Sequence, residues 1–76
     1  MQRMPSRTEV IAIRQQYPAG TRLELIHMDD PYTHLRAGDR GTVEGVDDAG
    51  QIMMKWDRGG SLSLIPGADS FRRVVK

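Results

Sequence analysis

Apolar residues recur at every second position in several short runs of this chain, and that spacing constrains the fold more than any other feature. Leu23 and Leu25 alternate with charged residues, and Ile52, Met54 and Trp56 repeat the alternation further along the chain. A period of two indicates strands that bury one face and expose the other. Trp56 is in phase with its apolar neighbours, so we expect its ring in the core rather than in a binding site.

The alternating runs and the turns between them predict five short strands. The strands are expected at Leu23 and Leu25, at Thr42, Val43 and Val46, at Ile52, Met54 and Trp56, at Leu62 and Leu64, and at Val74 and Val75. Glycine supplies the positive φ that tight connections need, as at Gly50 in the hairpin turn that starts at Asp47. Five such strands predict a mainly β fold, a small five-stranded antiparallel barrel, because closure removes exposed sheet edges.

The beginning of the chain follows a helical pattern instead. Ser6 and Glu9 form the S-x-x-E capping box of a helix start, and Pro18 ends the helix. One face of this helix carries Val10, Ile13 and Tyr17. We therefore predict a short N-terminal α-helix at about residues 7–16.

The length and composition limit the organisation and the class of protein. A chain of 76 residues forms one domain, with an N-terminal arm and helix over residues 1–17 and the barrel over residues 18–76. Eleven basic and ten acidic side chains leave a net charge of +1, which excludes a generally basic nucleic-acid binder. The absence of cysteine excludes disulfides, zinc fingers and thiol chemistry. The apolar run at residues 10–13 is far shorter than the roughly 7–15 residues of a signal peptide core, so we expect a cytoplasmic protein without membrane contact.

The charges are unevenly spread along the chain. Residues 1–22 carry a net charge of +3, residues 23–57 of −5 and residues 58–76 of +3. Because domain termini often lie close together, the two basic ends are expected to form one patch if they meet. The candidates for contacting nucleic-acid phosphates are then Arg3, Arg7, Arg14, Arg72, Arg73 and Lys76.

The acidic middle of the chain includes a polar loop between the first two predicted strands. Asp29, Asp30 and His34 lie in this loop together with Tyr32. An acidic loop with an exposed aromatic side chain suits a basic or proline-containing segment of a partner protein. These four residues are the candidate partner-binding site, with Met53 as an adaptable apolar contact outside the core. The alternative is a loop that only connects two strands.

Four residues that could ligate a metal, His27, Asp29, Asp30 and His34, fall within eight residues of the chain. Their spacing matches no standard metal site, and the two aspartates before a proline are typical of a turn. The serines at positions 61, 63 and 70 lack a recognisable base or a nucleophile motif. Hollows of about 300 Å³ or more are not expected in so small a domain. We therefore expect no enzymatic activity, no catalytic residue, no metal and no cofactor.

Five segments together carry a resemblance to a known family. They are MDDPY (28–32), GDRGTV (38–43), VDDAG (46–50), KWD (55–57) and IPGADSF (65–71). In these segments, and from about Pro18 to Val74, the chain resembles domain of unknown function 4314, a family of small bacterial proteins often encoded on plasmids, conjugative elements and phages. The glycines at 38 and 41 before a hairpin are also similar to those of SH3-like barrels.

The resemblance implies an SH3-like barrel from a bacterial mobile element or its host, and it transfers no functional residue because the family has no established activity. The main hypothesis is a small non-enzymatic protein-interaction module whose partner is another protein. The alternatives are a nucleic-acid-binding accessory protein that uses the basic ends, and an inhibitor of a host defence complex. We expect a monomer or a weak homodimer.

Overall fold

The chain folds into one short helix packed on an open antiparallel sheet. A computed structural model describes residues 5–28, 30 and 33–75. The elements are α1 (Arg7–Gln16), β1 (Arg22–His27), β2 (Arg40–Val46), β3 (Ile52–Trp56) and β4 (Ser70–Arg73). The strands lie in the order β3-β2-β1-β4, and every neighbouring pair is antiparallel. The predicted mainly β fold with an N-terminal helix is confirmed.

The predicted five-stranded barrel is wrong, since the described residues form four strands in a sheet that does not close. The strand expected at Leu62 and Leu64 is reduced to one bridge, in which Leu64 and Ile52 exchange backbone hydrogen bonds of 2.8 and 2.9 Å. Gly60 and Gly67 adopt positive φ on either side of Leu64, and Pro66 has no N–H to donate. These residues prevent a regular ladder. The last strand also lies earlier than predicted, ending at Arg73 before the two valines.

The core lies on one face of the sheet and consists of the alternating residues that the sequence marks. The residues less than a tenth exposed are Val10, Leu23, Leu25, Leu35, Val43, Val46, Ile52, Met54, Trp56 and Leu64. Trp56 is 2% exposed, which confirms its predicted place in the core, and its Nε1–H donates to the Leu62 carbonyl at 2.8 Å. Burying a side chain of this size contributes about 1.5–3 kcal/mol, so these few residues dominate the stability of the domain.

Gly41 allows β2 to approach β3 closely beside Trp56. A Cβ atom at this position would lie 2.9 Å from the Lys55 carbonyl oxygen and 2.9 Å from the Trp56 ring. Both distances are shorter than a carbon atom tolerates. Gly41, the second glycine of the GDRGTV segment, is therefore required because the Trp56 ring packs against the backbone of β2.

The helix begins and ends where the sequence predicts. The Ser6 hydroxyl accepts the Glu9 N–H at 3.2 Å, the Glu9 carboxylate accepts the Ser6 N–H at 3.5 Å, and the last helical residue precedes Tyr17. The helix packs on its own sheet, because Val10 is buried and Arg14 donates to the Val46 carbonyl at 3.1 Å. No helix in the described part of the chain is long and apolar enough to cross a membrane.

Candidate interaction surfaces

A segment without a regular strand, residues 62–69, contains the bridge at Leu64 and ends in a tight turn. The Ile65 N–H donates to the Asp69 carboxylate at 2.8 Å, and the Asp69 N–H donates to the Ile65 carbonyl at 2.9 Å. This pair of bonds closes the turn around Pro66. Hollows lie on both sides of the segment, and two of its apolar side chains, Leu62 and Ile65, are partly exposed.

The first hollow has a volume of about 460 Å³. Its walls come from Pro5 before the helix, from Glu9 and Ile13 on the helix, from residues 49–51 in the β2–β3 turn, and from residues 65–68. The expectation that the domain holds no hollow above about 300 Å³ is therefore wrong. The reason is that the helix meets two turns here. The short turns do not supply enough side chains to fill the space between them and the helix.

The second hollow, of about 230 Å³, lies between the 62–69 segment and the start of the β1–β2 loop. Its walls are Met28, Asp30, Leu62, Ser63, Ile65, Ala68 and Asp69. Ile65 and Ala68 line both hollows. We call the two together the apolar groove. Leu62 and Ile65 are 39% and 38% exposed, which leaves part of each side chain available for contact.

Carboxylates set the charge of the apolar groove. Glu9 lines the first hollow, and Asp30 and Asp69 line the second. None of the described residues that line either hollow is a lysine or an arginine. Glu9 and Asp69 also hold local structure, yet their charge still contributes to the potential. The groove therefore combines apolar contact with carboxylates in its walls, and a cationic partner suits such walls better than an anionic one.

The structure separates the described residues of the predicted partner-binding loop. Asp30 lies in the wall of the groove, whereas the ring of His34 contacts the turn after β3, with its Nε2 3.1 Å from the Gly59 carbonyl oxygen. Asp29 and Tyr32 lie outside the described residues. Met53, the predicted additional apolar contact, is 38% exposed on the outer face of the sheet. Sequence reasoning missed Leu62 and Ile65, because the alternation pattern assigned Leu62 to the core.

The outer face of the sheet carries paired charges in addition to the exposed Met53 side chain. Arg22 donates to both carboxylate oxygens of Asp57 at 2.7 and 2.6 Å and to the Thr42 hydroxyl at 3.1 Å. Glu24 accepts from Arg40 Nε at 3.0 Å and from Arg72 Nη2 at 2.9 Å. These bonds join residues of different strands across the sheet.

The ion pairs shift the pKa values of their members in the direction that favours the charged forms. The hydrogen bonds from Arg40 and then Arg72 lower the pKa of Glu24. The hydrogen bond from Arg22 lowers the pKa of Asp57, and that pair raises the pKa of Arg22. Such shifts favour permanent charges, which is typical of groups that fix strands in place and not of groups that exchange protons near neutral pH.

A further pair holds the β1–β2 loop against the β3 turn. Arg58 donates to both carboxylate oxygens of Asp39 at 3.0 Å each, and Asp39 also accepts the Arg36 N–H at 2.9 Å. The hydrogen bond from Arg58 is the main cause of the lowered pKa of Asp39, followed by the Arg36 N–H. The end of this loop is thus fixed by the fold.

The structure divides the predicted nucleic-acid-binding residues into two groups. Arg7 and Arg14 line a hollow with Val10, and Arg14 forms an ion pair with Asp48 at 2.9 Å. Arg72 and Arg73 lie on β4, where Arg72 pairs with Glu24 and the Arg73 guanidinium lies 5.5 Å from the centre of the Tyr17 ring. Arg3 and Lys76 lie outside the described residues.

Of the four residues considered as metal ligands, Asp29 lies outside the described residues. Among the described residues, no group of three or more histidine, aspartate or glutamate side chains is arranged to hold a metal ion. His27 ends β1, and His34 faces the β3 turn.

Two comparisons with known proteins bear on this chain. Residues 6–74 match the family model described as Domain of unknown function (DUF4314), so the match takes in α1 as well as the four strands. No curated protein matches the chain.

Proposed function

Since the chain belongs to the family Domain of unknown function (DUF4314), whose description offers no activity, we propose from the surface of the chain itself that it is a non-enzymatic protein-interaction module. The apolar groove is its binding site, and the partner is a protein segment that carries apolar and basic side chains. The observation that carries this proposal is the exposure of Leu62 and Ile65 inside a groove whose charged walls are acidic. An accessory role on a bacterial mobile element or in its host belongs to the same proposal and rests on family resemblance.

The apolar side chains supply part of the affinity. Leu62 and Ile65 are already partly packed, and covering the exposed remainder of each side chain contributes about 1 kcal/mol. Association also costs entropy, so contacts of this size support weak and reversible binding. The proposed partner segment therefore places one or two apolar side chains beside Ile65.

The carboxylates supply direction and selectivity. Glu9 and Asp30 lie in different hollows, on opposite sides of Ile65. A segment that crosses Ile65 would meet negative charge on both sides. Basic side chains that flank the apolar one fit this arrangement, because complementary charges speed encounter and exclude acidic competitors.

The experiment uses two blocked octapeptides on the isotope-labelled chain, followed by residue-resolved NMR. The basic probe alternates leucine and lysine, and the acidic probe alternates leucine and glutamate. We expect the basic probe to shift the signals of Met28, Asp30 and residues 62–69, and the acidic probe to leave them unchanged.

A matched pair of variants locates the contact. Ile65→Ser removes the shared wall of the groove, whereas Ile26→Ser removes an apolar side chain that is 49% exposed on β1. Binding of the basic probe should fall about tenfold in the first variant, equivalent to about 1.4 kcal/mol, and remain in the second. Equal binding by both variants would argue against the groove.

The alternative function, nucleic-acid binding, receives less support from the described residues. Arg14 is engaged by Asp48, and the two groups of arginines line separate hollows. Nucleic-acid binding predicts that the logarithm of the binding constant falls with the logarithm of the salt concentration. Each duplex phosphate contacted adds about −0.9 to that slope. A salt-independent signal with duplex DNA would reject it.

A further inference from the structure

The outer edge of β4 is a second surface that can bind another chain. In the sheet order β3-β2-β1-β4, β4 is terminal and pairs with β1 on one side. Among the described residues, no other strand pairs with β4. A terminal strand presents backbone N–H and C=O groups that an added strand can bind.

The register shows which backbone groups point outward. Glu24 lies opposite Arg72, and the Val74 N–H donates to the Arg22 carbonyl at 3.0 Å. Hydrogen-bonded and non-bonded pairs alternate along an antiparallel ladder. The residues between the bonded ones, Phe71 and Arg73, therefore direct their N–H and C=O groups away from β1.

Both faces of this edge strand carry positive charge. Arg72 shares the outer face with Glu24 and Arg40, and two guanidinium groups there share one carboxylate, which leaves a net charge of +1. Arg40 and Arg72 stay 51% and 66% exposed. Arg73 lies on the other face, opposite Leu23 and above the Tyr17 ring.

Two valines extend the β4 edge beyond the end of the strand. Val75 is 86% exposed, and Val74, Val75 and the arginines Arg40, Arg72 and Arg73 line a hollow of about 190 Å³ with Glu24. A strand added along β4 would run beside this hollow.

We propose that the β4 edge binds an extended acidic segment of another protein as an additional strand. Charge complementarity selects this occupant, since carboxylates on either face of the added strand would meet an arginine, Arg72 on the outer face or Arg73 on the other. A second copy of this chain fits poorly, because antiparallel pairing of two β4 edges brings the arginines of both copies together. This site lies on a different surface from the apolar groove and takes a partner of opposite charge.

The test combines the acidic probe with amide hydrogen exchange of the full chain. Strand addition should slow exchange at Phe71 and Arg73 about tenfold or more at saturation, because their N–H groups become hydrogen-bonded. An acidic probe that is N-methylated at every residue keeps the charge but has no N–H group on either edge, so it should give no protection. Protection by the methylated probe, or binding without protection, would overturn strand addition.

A pair of variants tests the role of the arginines. The double variant Arg72→Gln, Arg73→Gln should bind the acidic probe about tenfold more weakly. The control Arg36→Gln removes an exposed arginine of the β1–β2 loop and should bind as the parent chain does. Equal binding by both variants would overturn the charge argument.

The other occupants give distinct results. An oligothymidylate that shifts the β4 signals in a salt-sensitive manner, with no response to the acidic probe, would replace the proposal with nucleic-acid binding. Concentration-dependent protection of Phe71 without any probe, together with a dimer in sedimentation, would replace it with self-association. If the basic probe does not bind the apolar groove, the proposal for the β4 edge still stands, because the acidic probe tests it separately.

Discussion

The apolar groove and the β4 edge differ in the chemistry that they expose. The groove offers side chains, because Leu62 and Ile65 remain partly uncovered beside carboxylates. The β4 edge offers backbone groups flanked by arginines. The difference arises from how each region departs from a closed barrel: the 62–69 segment fails to form a strand, whereas β4 forms a strand that, among the described residues, pairs with β1 alone.

Leu62 and Leu64 illustrate what the loss of regular structure does. Both would lie on one face of a regular strand, since they are two residues apart. In the structure Leu64 is fully buried and Leu62 is 39% exposed. One bridge to Ile52 holds Leu64 in the core, and the chain on either side of it turns away. The interrupted strand thus exposes apolar surface that a barrel would bury.

The largest expected effect is a loss of stability when the core beneath both surfaces is changed. Trp56→Ala should lower the free energy of unfolding by about 3–5 kcal/mol, because it empties a site that is 2% exposed. Urea unfolding followed by circular dichroism measures the loss. Lys55→Ala, at the exposed neighbouring position, should stay within about 0.5 kcal/mol of the parent chain. A Trp56→Ala chain of parental stability would contradict the description of the core.

A smaller effect should be confined to the groove. Trp56→Phe keeps an aromatic ring but removes the Nε1–H that binds the Leu62 carbonyl. We expect a loss of about 1–2 kcal/mol in unfolding free energy, because a hydrogen bond and some ring volume disappear. Binding of the basic probe should weaken while binding of the acidic probe is preserved, as NMR titration would show. Equal weakening of both would mean that the two regions are not independent.

The smallest expected effect is the loss of the ion pairs that Glu24 forms beside the β4 edge, and it depends on pH. Glu24 has its pKa lowered by Arg40 and Arg72 from an ordinary value of 4.5, so its ionised form is favoured by folding. Its contribution is fully present above about pH 4.5 and is lost as the pH falls through the lowered folded pKa. Glu24→Gln should therefore be less stable than the parent chain near neutral pH, with the difference shrinking in acid.

Urea midpoints measured across the acidic range test this expectation. Glu44→Gln, an exposed carboxylate on the neighbouring strand β2, serves as the control and should follow the parent curve. A constant difference between Glu24→Gln and the parent chain at every pH would show that charge is not what Glu24 contributes.

Local signals made part of the fold predictable from the sequence. The capping box of Ser6 and Glu9 located the helix, and the period of two located β1 and β3 and placed Trp56 in the core. These features depend on residues close together in the chain. The turn at Gly50, with φ of +78°, was readable for the same reason.

The surfaces were less predictable because they depend on contacts between distant residues. Asp57 lies far along the chain from Arg22, and Glu24 meets Arg40 and Arg72 only once three strands are in register. The exposure of Leu62 follows from a strand that the glycines and Pro66 interrupt, whereas its spacing from Leu64 alone indicates a buried strand.

The most direct test titrates the isotope-labelled chain with the basic and the acidic probe in turn and compares the shifted residues. The account predicts two separate sets: Met28, Asp30 and residues 62–69 with the basic probe, and residues 70–75 with the acidic probe. Shifts of one common set by both probes, or no shift by either, would contradict the claim that the chain carries two surfaces of opposite selectivity.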